Sequence, residues 1–206
     1  MKFFRKIFFI LIAFESLSSS AQKRVTDSLL LQLSKAKNDS IKCTFLYVLI
    51  DNESDNTIWP TYNAQLKAIA EKKTKEKRGG VFFLEVLSDA ITNEGVLKQQ
   101  NGKFSEALSD YRKSLEIKFD IHDRAGVADN LVNIGYIYFA AADYSKAADY
   151  YQKCLKIREE LKDKAGSSLV LVNLGNVFLR QNDTVKFLDF INVFTHTWKG
   201  KAWDSI

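Results

Sequence analysis

The sequence predicts an all-α protein, a solenoid of about four stacked helical hairpins, and three observations carry that prediction. Residues 91–130 and 131–170 write one pattern twice with a 40-residue period: Asn93-Glu94-Gly95 becomes Asn133-Ile134-Gly135 and then Asn173-Leu174-Gly175. The same spacing lays Ala107 on Ala147, Tyr111 on Tyr151, Lys113 on Lys153, Leu115 on Leu155 and Ile117 on Ile157. It ends by placing Asp123, Ala125 and Gly126 under Asp163, Ala165 and Gly166. Self-similarity at a fixed period of roughly 20–50 residues marks a repeat architecture. Second, apolar residues recur at helical spacing within each period. Third, the 206 residues are 46% hydrophobic and include one Pro and nine Gly, so little in the chain breaks helices.

Residues 1–21 read as a signal peptide. Lys2, Arg5 and Lys6 form its charged start, Ile7–Phe14 its apolar run, and Ser19-Ser20-Ala21 the small residues before a cut at Gln22. The run is far short of the roughly 20 residues that span a bilayer, so the mature chain is expected to carry no membrane span. No Cys lies near the cut, which argues against a lipid anchor. Removing Lys2, Arg5, Lys6 and Glu15 with the signal lowers the net charge from +5 to +3, too mild to call for a nucleic-acid partner. The location expected is exported, periplasmic or secreted.

Residues 22–40 hold a short leading helix, Thr26–Lys37, and a linker. Residues 41–78 form a degenerate hairpin, Ile41–Leu49 and Ile58–Lys73 around the Asp51–Asn56 loop, with Pro60 tolerable in a first helical turn. The run Glu71–Arg78 mixes signs where a helix should stop and reads as a solvated helix end. Residues 79–125 are the first repeat. Gly80 to Gly95 spans 15 residues where Gly126 to Gly135 spans nine, so its first helix should be longer by six, near Val81–Asp89.

Residues 126–165, the second repeat, show the logic best. Leu131, Ile134, Gly135, Tyr138 and Ala141 make one helical stripe after Gly126. Ala142-Asp143 breaks it, and Tyr144, Ala147, Ala148, Tyr151, Cys154, Leu155 and Arg158 make a second, running to about Lys162 before Asp163–Gly166 turns the chain. Gly135 and Ala147 are small enough to let the helices approach, and Tyr138 and Tyr151 are expected to fill the space between neighbouring hairpins. A lone hairpin cannot bury both apolar faces, so the units stack. Residues 166–198 repeat Leu171, Leu174-Gly175 and Phe178, then place bulky Phe187 where Ala107 and Ala147 stand; 199–206 are a tail.

Leu131, Ile134-Gly135, Tyr138, Ala147, Tyr151 and Cys154 together resemble the tetratricopeptide repeat. That repeat usually has about 34 residues. The 40-residue form is similar to the long repeats of kinesin light chains, of peptide-binding spindle-orientation proteins and of exported bacterial sensory proteins. The extra turns are most simply placed at the end of the second helix; Glu159 stands where the family often closes that helix with proline. The resemblance implies a right-handed α-α superhelix whose first helices line a concave groove.

No catalytic constellation or cofactor motif is present, and no enzyme is expected. His122 and His196 read as surface histidines, Gly79-Gly80 lacks the Lys-Ser/Thr of a phosphate loop, and Glu159-Glu160 lies on a solvated face. Cys43 and Cys154, on apolar helix faces, read as two buried thiols rather than a disulfide. The candidate site is the row Asn93, Asn133, Asn173, whose amides can both donate to and accept from a peptide unit. The resemblance places this row in the groove, in contact with an extended peptide; tying neighbouring helices to each other is the other role open to it. Tyr136, Phe139, Asn176 and Arg180 are the further candidates, with Asp89, Val96, Gln99 and Asp129 also expected to face the groove. The expected partner is a protein or peptide, and the expected function is a protein-interaction scaffold that holds a peptide or a partner helix in the groove.

The end of the chain breaks the pattern. Phe187–Phe194 puts apolar residues on nearly every side of the last helix, which implies an interface, self-association included, or repeats that once followed. Similar regions precede a membrane helix and an output domain in larger bacterial signalling proteins, so a sensory input region of a histidine kinase or regulator is the alternative to a free-standing scaffold.

Overall fold

Asparagine and aspartate caps, one ahead of four of the eight long helices among the described residues, help set where the chain turns. The computed structural model describes residues 19–76, 80–188 and 190–191. The charged start and apolar run of the signal peptide, residues 77–79, His196 and the 199–206 tail lie outside them. Among the described residues the regular structure is helix throughout. The chain divides between Ile69 and Ala70 into two compact units.

The first unit holds α1 (Ser19–Lys35), α2 (Asp39–Asn52) and most of α3 (Trp59–Lys75). α1 starts seven residues ahead of the expected Thr26 because Ala21–Arg24 are good helix formers with no breaker among them. Asn38 caps α2 by accepting the Ser40 N–H at 2.8 Å, and Cys43, Leu46 and Leu49 are buried along its inner side. In the 53–58 loop Asp55 accepts the Thr57 N–H, and Asn56 accepts the Trp59 indole N–H at 2.8 Å. Pro60 is the second residue of α3, where its missing N–H costs nothing.

The second unit is the repeat array: α4 (Gly80–Gln100), α5 (Phe104–Asp120), α6 (Arg124–Ala140), α7 (Tyr144–Glu160) and α8 (Lys164–Arg180), with helix resuming over 184–188. Each of α5 to α8 has 17 residues, and every connection from Asn101 to Asp183 has three. The 40-residue sequence period is thus a 20-residue backbone period. At each connection the middle residue is left-handed: Gly102, His122, Ala142, Lys162 and Asn182, with φ between 52° and 73°. The residue after it donates its N–H five residues back, as Asp123 does to Lys118 and Asp143 to Tyr138, both at 2.9 Å. That is the Schellman closure. The same residue then opens the next helix. Asp123, Asp143, Asp163 and Asp183 accept the N–H of Gly126, Lys146, Gly166 and Lys186 at 2.9–3.2 Å.

This geometry corrects four expectations. The length beyond about 34 residues is shared by both helices of the hairpin instead of extending the second alone. α6 begins at Arg124 and α8 at Lys164, so Ala165-Gly166 lies inside a first turn and α7 stops at Glu160. α4 exceeds its siblings by four residues and not six, because Gly80 is its first residue while Gly126 is the third of α6. Tyr151 packs inside its own hairpin: its ring covers Gly135, where an added Cβ would lie 2.6 Å from the ring. Tyr111 covers Gly95 in the same way at 2.7 Å, and both rings are buried. Tyr138 instead stacks on Tyr150 at 5.4 Å, half-buried beside the Ala107–Tyr111–Ile134–Ile137 cluster that joins the first repeat to the second.

In the third repeat the covering ring over Gly175 is Phe190, one place earlier than the 40-residue register predicts. Bulky Phe187, half-buried in the Ala147 position, accompanies that shift. Both thiols are free and buried; burial pushes Cys43 up to about 12 and Cys154 up to about 11.

Candidate functional site

The first helices of the repeats, α4, α6 and α8, carry the asparagine row. At the joints between hairpins, the chain builds one ionic clamp twice, at matched positions of successive repeats. Lys118 at the end of α5 reaches Asp89 on α4 at 2.5 Å and the capping Asp123 at 3.3 Å. Arg158 at the end of α7 holds Asp129 on α6 and the capping Asp163, the latter at 2.7 Å. A Cβ on Gly126 or Gly166 would run into the clamp, which is why glycine stands there inside a helix. Lys118 is buried; burial alone would lower its pKa, but Asp89 and then Asp123 outweigh that and hold the ammonium above the usual lysine range. Glu85 on α4 is shifted upward by burial and by the nearby Asp89 and Asp123. Asp89 and Asp129, expected to face a ligand, are therefore committed to the clamps, although Asp129 keeps 61% of its side chain exposed.

A second repeated device is a hydrogen bond within each hairpin. Ser114 donates to the backbone carbonyl of Ser88 at 2.8 Å, and Cys154, its counterpart in the next repeat, donates to that of Ala128 at 3.2 Å. In the first repeat the device grows into a tie between hairpins. Asn130 on α6, fully buried, donates to Ser114 at 2.9 Å and accepts from Thr92 on α4 at 3.1 Å. Asparagine does tie helices here, but the tying residue is Asn130, outside the row.

The row itself divides. Asn93 is half-buried and already has an interaction partner within the protein. Asn133 and Asn173 are half-buried, and their amides make no hydrogen bond to another described residue. Asn133 borders a cavity of about 300 Å³ between α6 and α8, lined with it by Asp129, Val132, Arg158, Leu169 and Val170, with Gly166 at its edge. Of the other candidates, Tyr136, Asn176 and Arg180 are exposed, whereas Phe139 is half-buried against Tyr144 with ring centres 5.6 Å apart. Gln99 accepts from the Tyr111 hydroxyl at 2.9 Å, and Val96 packs on the cluster between the first and second repeats. None of these borders the cavity.

Val132, Arg158, Leu169 and Val170 are the lining that sequence reasoning missed. The signal was present in the repeat itself: Thr92 and Asn130, which tie α4 to α6, become Val132 and Val170 one period later. The joint without the tie is the one that holds the cavity. Among the described residues no cluster of His, Cys, Asp or Glu could hold a metal ion, and no helix is long and apolar enough to cross a membrane.

The tetratricopeptide-repeat pattern matches residues 87–160 and 126–186. The repeat array belongs to the tetratricopeptide-repeat family. Solved structures share its fold at low identity. Aspartyl phosphate phosphatase F from Bacillus subtilis matches 89% of this chain and 46% of its own, with TM-score 0.73 and 12% identity. A Rap protein complexed with competence and sporulation factor matches 81% of this chain and 45% of its own, with TM-score 0.60 and 16% identity. A signal-transduction ATPase of Pyrococcus horikoshii with a tetratricopeptide-repeat sensor matches 87% of this chain and 28% of its own, with TM-score 0.64 and 20% identity. The chain thus spans less than half the length of each of these three. No protein of curated function matches it.

Proposed function

We propose that this chain is an exported tetratricopeptide-repeat scaffold that binds an extended peptide, or an extended segment of a partner protein, along α6 and α8. One observation carries the reading: the Asn133 amide, with no hydrogen-bond partner among the described residues, borders a cavity open between two first helices. A half-buried primary amide without a partner gains most from a ligand that both donates and accepts, which a peptide unit does. Export rests on the charged start, apolar run and small-residue cut of residues 1–21. A signalling input is the second reading, and it uses the same groove; what favours it is the fold shared with part of a Pyrococcus horikoshii signal-transduction ATPase that has a tetratricopeptide-repeat sensor.

The test uses the full chain on an immobilised positional-scanning library of decapeptides. Replacing both Asn133 and Asn173 by Ala removes two hydrogen bonds of about 0.5–1.5 kcal/mol each, a loss of roughly fivefold to a hundredfold in affinity. Helicity and melting should not change. Unaltered binding in the double variant refutes the groove reading, and a collapse of helicity assigns both asparagines to the fold. Protein recovered from the native envelope fraction should begin at Gln22; an intact Met1 refutes the export reading.

A further inference from the structure

We infer that the cavity between α6 and α8 is a subsite for one apolar side chain of the bound peptide, and that the residues at 132, 154 and 170 decide whether such a subsite exists in a given repeat. The inference rests on the groove reading above and names the ligand chemistry it would select.

Two neighbouring joints of one array differ at three matched positions. Between α4 and α6, Thr92, Ser114 and Asn130 form a closed network, with Thr92 to Ser114 at 2.8 Å, Asn130 to Ser114 at 2.9 Å and Thr92 to Asn130 at 3.1 Å. Between α6 and α8 the same positions are Val132, Cys154 and Val170. Valine cannot bridge, so no polar link of this kind spans the second joint, and the cavity of about 300 Å³ lies there. An apolar cavity of about 150 Å³ accommodates a benzene-sized group. The open space is therefore ample for a leucine- or phenylalanine-sized side chain.

The walls state which side chain. Val132, Leu169 and Val170 give aliphatic surface from both first helices, and Leu169 stands where the preceding repeat has Asp129. Two of the polar lining residues, Asp129 and Arg158, are taken up by each other. Asp129 is held by Arg158, and Arg158 is pinned between Asp129 and Asp163. Arg158 Nε is the single buried side-chain polar atom without a partner among the described residues. That nitrogen is covered beneath Gly166, so the Asn133 amide is the group that offers a donor and an acceptor to a peptide unit at the edge of the hole. An extended peptide meets both demands at once, its side chain in the hole and its amide on Asn133.

The transplant Val132→Thr, Cys154→Ser, Val170→Asn copies the closed network of the first joint into the second. On the decapeptide library the wild-type chain should prefer aliphatic or aromatic residues at one position. The transplanted chain should lose that preference, with the best peptides weakened at least tenfold and melting kept. Should the three polar residues impair folding, Val132→Phe, a filling of the cavity from a half-buried wall, serves instead and should have the same effect on selectivity. Retention of the apolar preference in a folded variant of either kind overturns the subsite, while the groove reading survives if the Asn133→Ala, Asn173→Ala pair still weakens binding. A wild-type chain that retains no peptide overturns both.

Discussion

Gly135→Ala should destabilise the array, although alanine is the better helix former. The added methyl would lie 2.6 and 2.8 Å from two ring carbons of Tyr151. Ordinary carbon contacts sit at about 3.5–4.0 Å, so the ring or the helix must give by about 1 Å. Tyr151 is only 1% exposed and packs within the core cluster that includes Ala147 and Cys154, so the ring has no free space to enter. Overpacking of this kind costs about 1–3 kcal/mol, against a helix-propensity gain of about 1 kcal/mol. The net is a loss of up to about 2 kcal/mol, which lowers Tm by about 2–4 °C per kcal/mol. Gly175→Ala is the internal control. Its covering ring, Phe190, is half-buried and meets the new Cβ at 3.0 Å with the next atoms at 3.6 Å, so propensity and crowding nearly cancel there. Urea unfolding followed by circular dichroism compares the two, and Tyr151→Leu added to Gly135→Ala should recover part of the loss as a favourable coupling. If Gly135→Ala stabilises as much as Gly175→Ala does, the argument that the tyrosine ring occupies the place of the missing Cβ is wrong.

Ala142 is an L residue held at φ 59° in a three-residue turn, and Ala142→Gly should stabilise by about 0.5–1 kcal/mol, read as a higher urea midpoint at unchanged slope. Lys118→Met should destabilise by roughly 2 kcal/mol, less than a fully buried pair would lose, because Asp89 and Asp123 retain 35% and 26% exposure and water can solvate them. Because the folded pKa of Lys118 is raised, its contribution is fully present below the unfolded value near pH 10.4 and is lost as pH climbs through the folded pKa. The gap between wild type and Lys118→Met should stay level from pH 7 to about pH 10 and close above it; a gap that closes between about pH 7 and 9 would contradict the clamp.

The repeat, its helical hairpins and the small residues at 95, 107, 135 and 147 were legible because a packed helix pair imposes size at fixed spacing, and size is written in one letter. The caps were legible too, though easily overlooked: Asp123, Asp143, Asp163 and Asp183 are evenly spaced at half the repeat period, one ahead of each helix from α6 onward. Placing Tyr151 between hairpins failed because spacing gives the face of a helix but not which neighbour reaches that face first. The excess in α4 was misjudged for a related reason. Gly80 and Gly126 are both glycines near a helix start, yet one is the left-handed first residue of α4 and the other makes room for a lysine ammonium.

By itself, then, the sequence determined an all-α tetratricopeptide array, with its period and the pairing of helices into hairpins. Those follow from local propensity and from apolar periodicity within one chain segment. Tertiary structure alone decided which asparagine ties and which stands unpaired. Asn130 and Asn133 lie one helical turn apart in α6 and are chemically identical. Asn130 faces Thr92 and Ser114 across a joint, while Asn133 faces the space left where Val132 and Val170 cannot bridge. A hydrogen bond needs a partner within about 3 Å, and partners 16 and 38 residues away come within reach only when the hairpins stack.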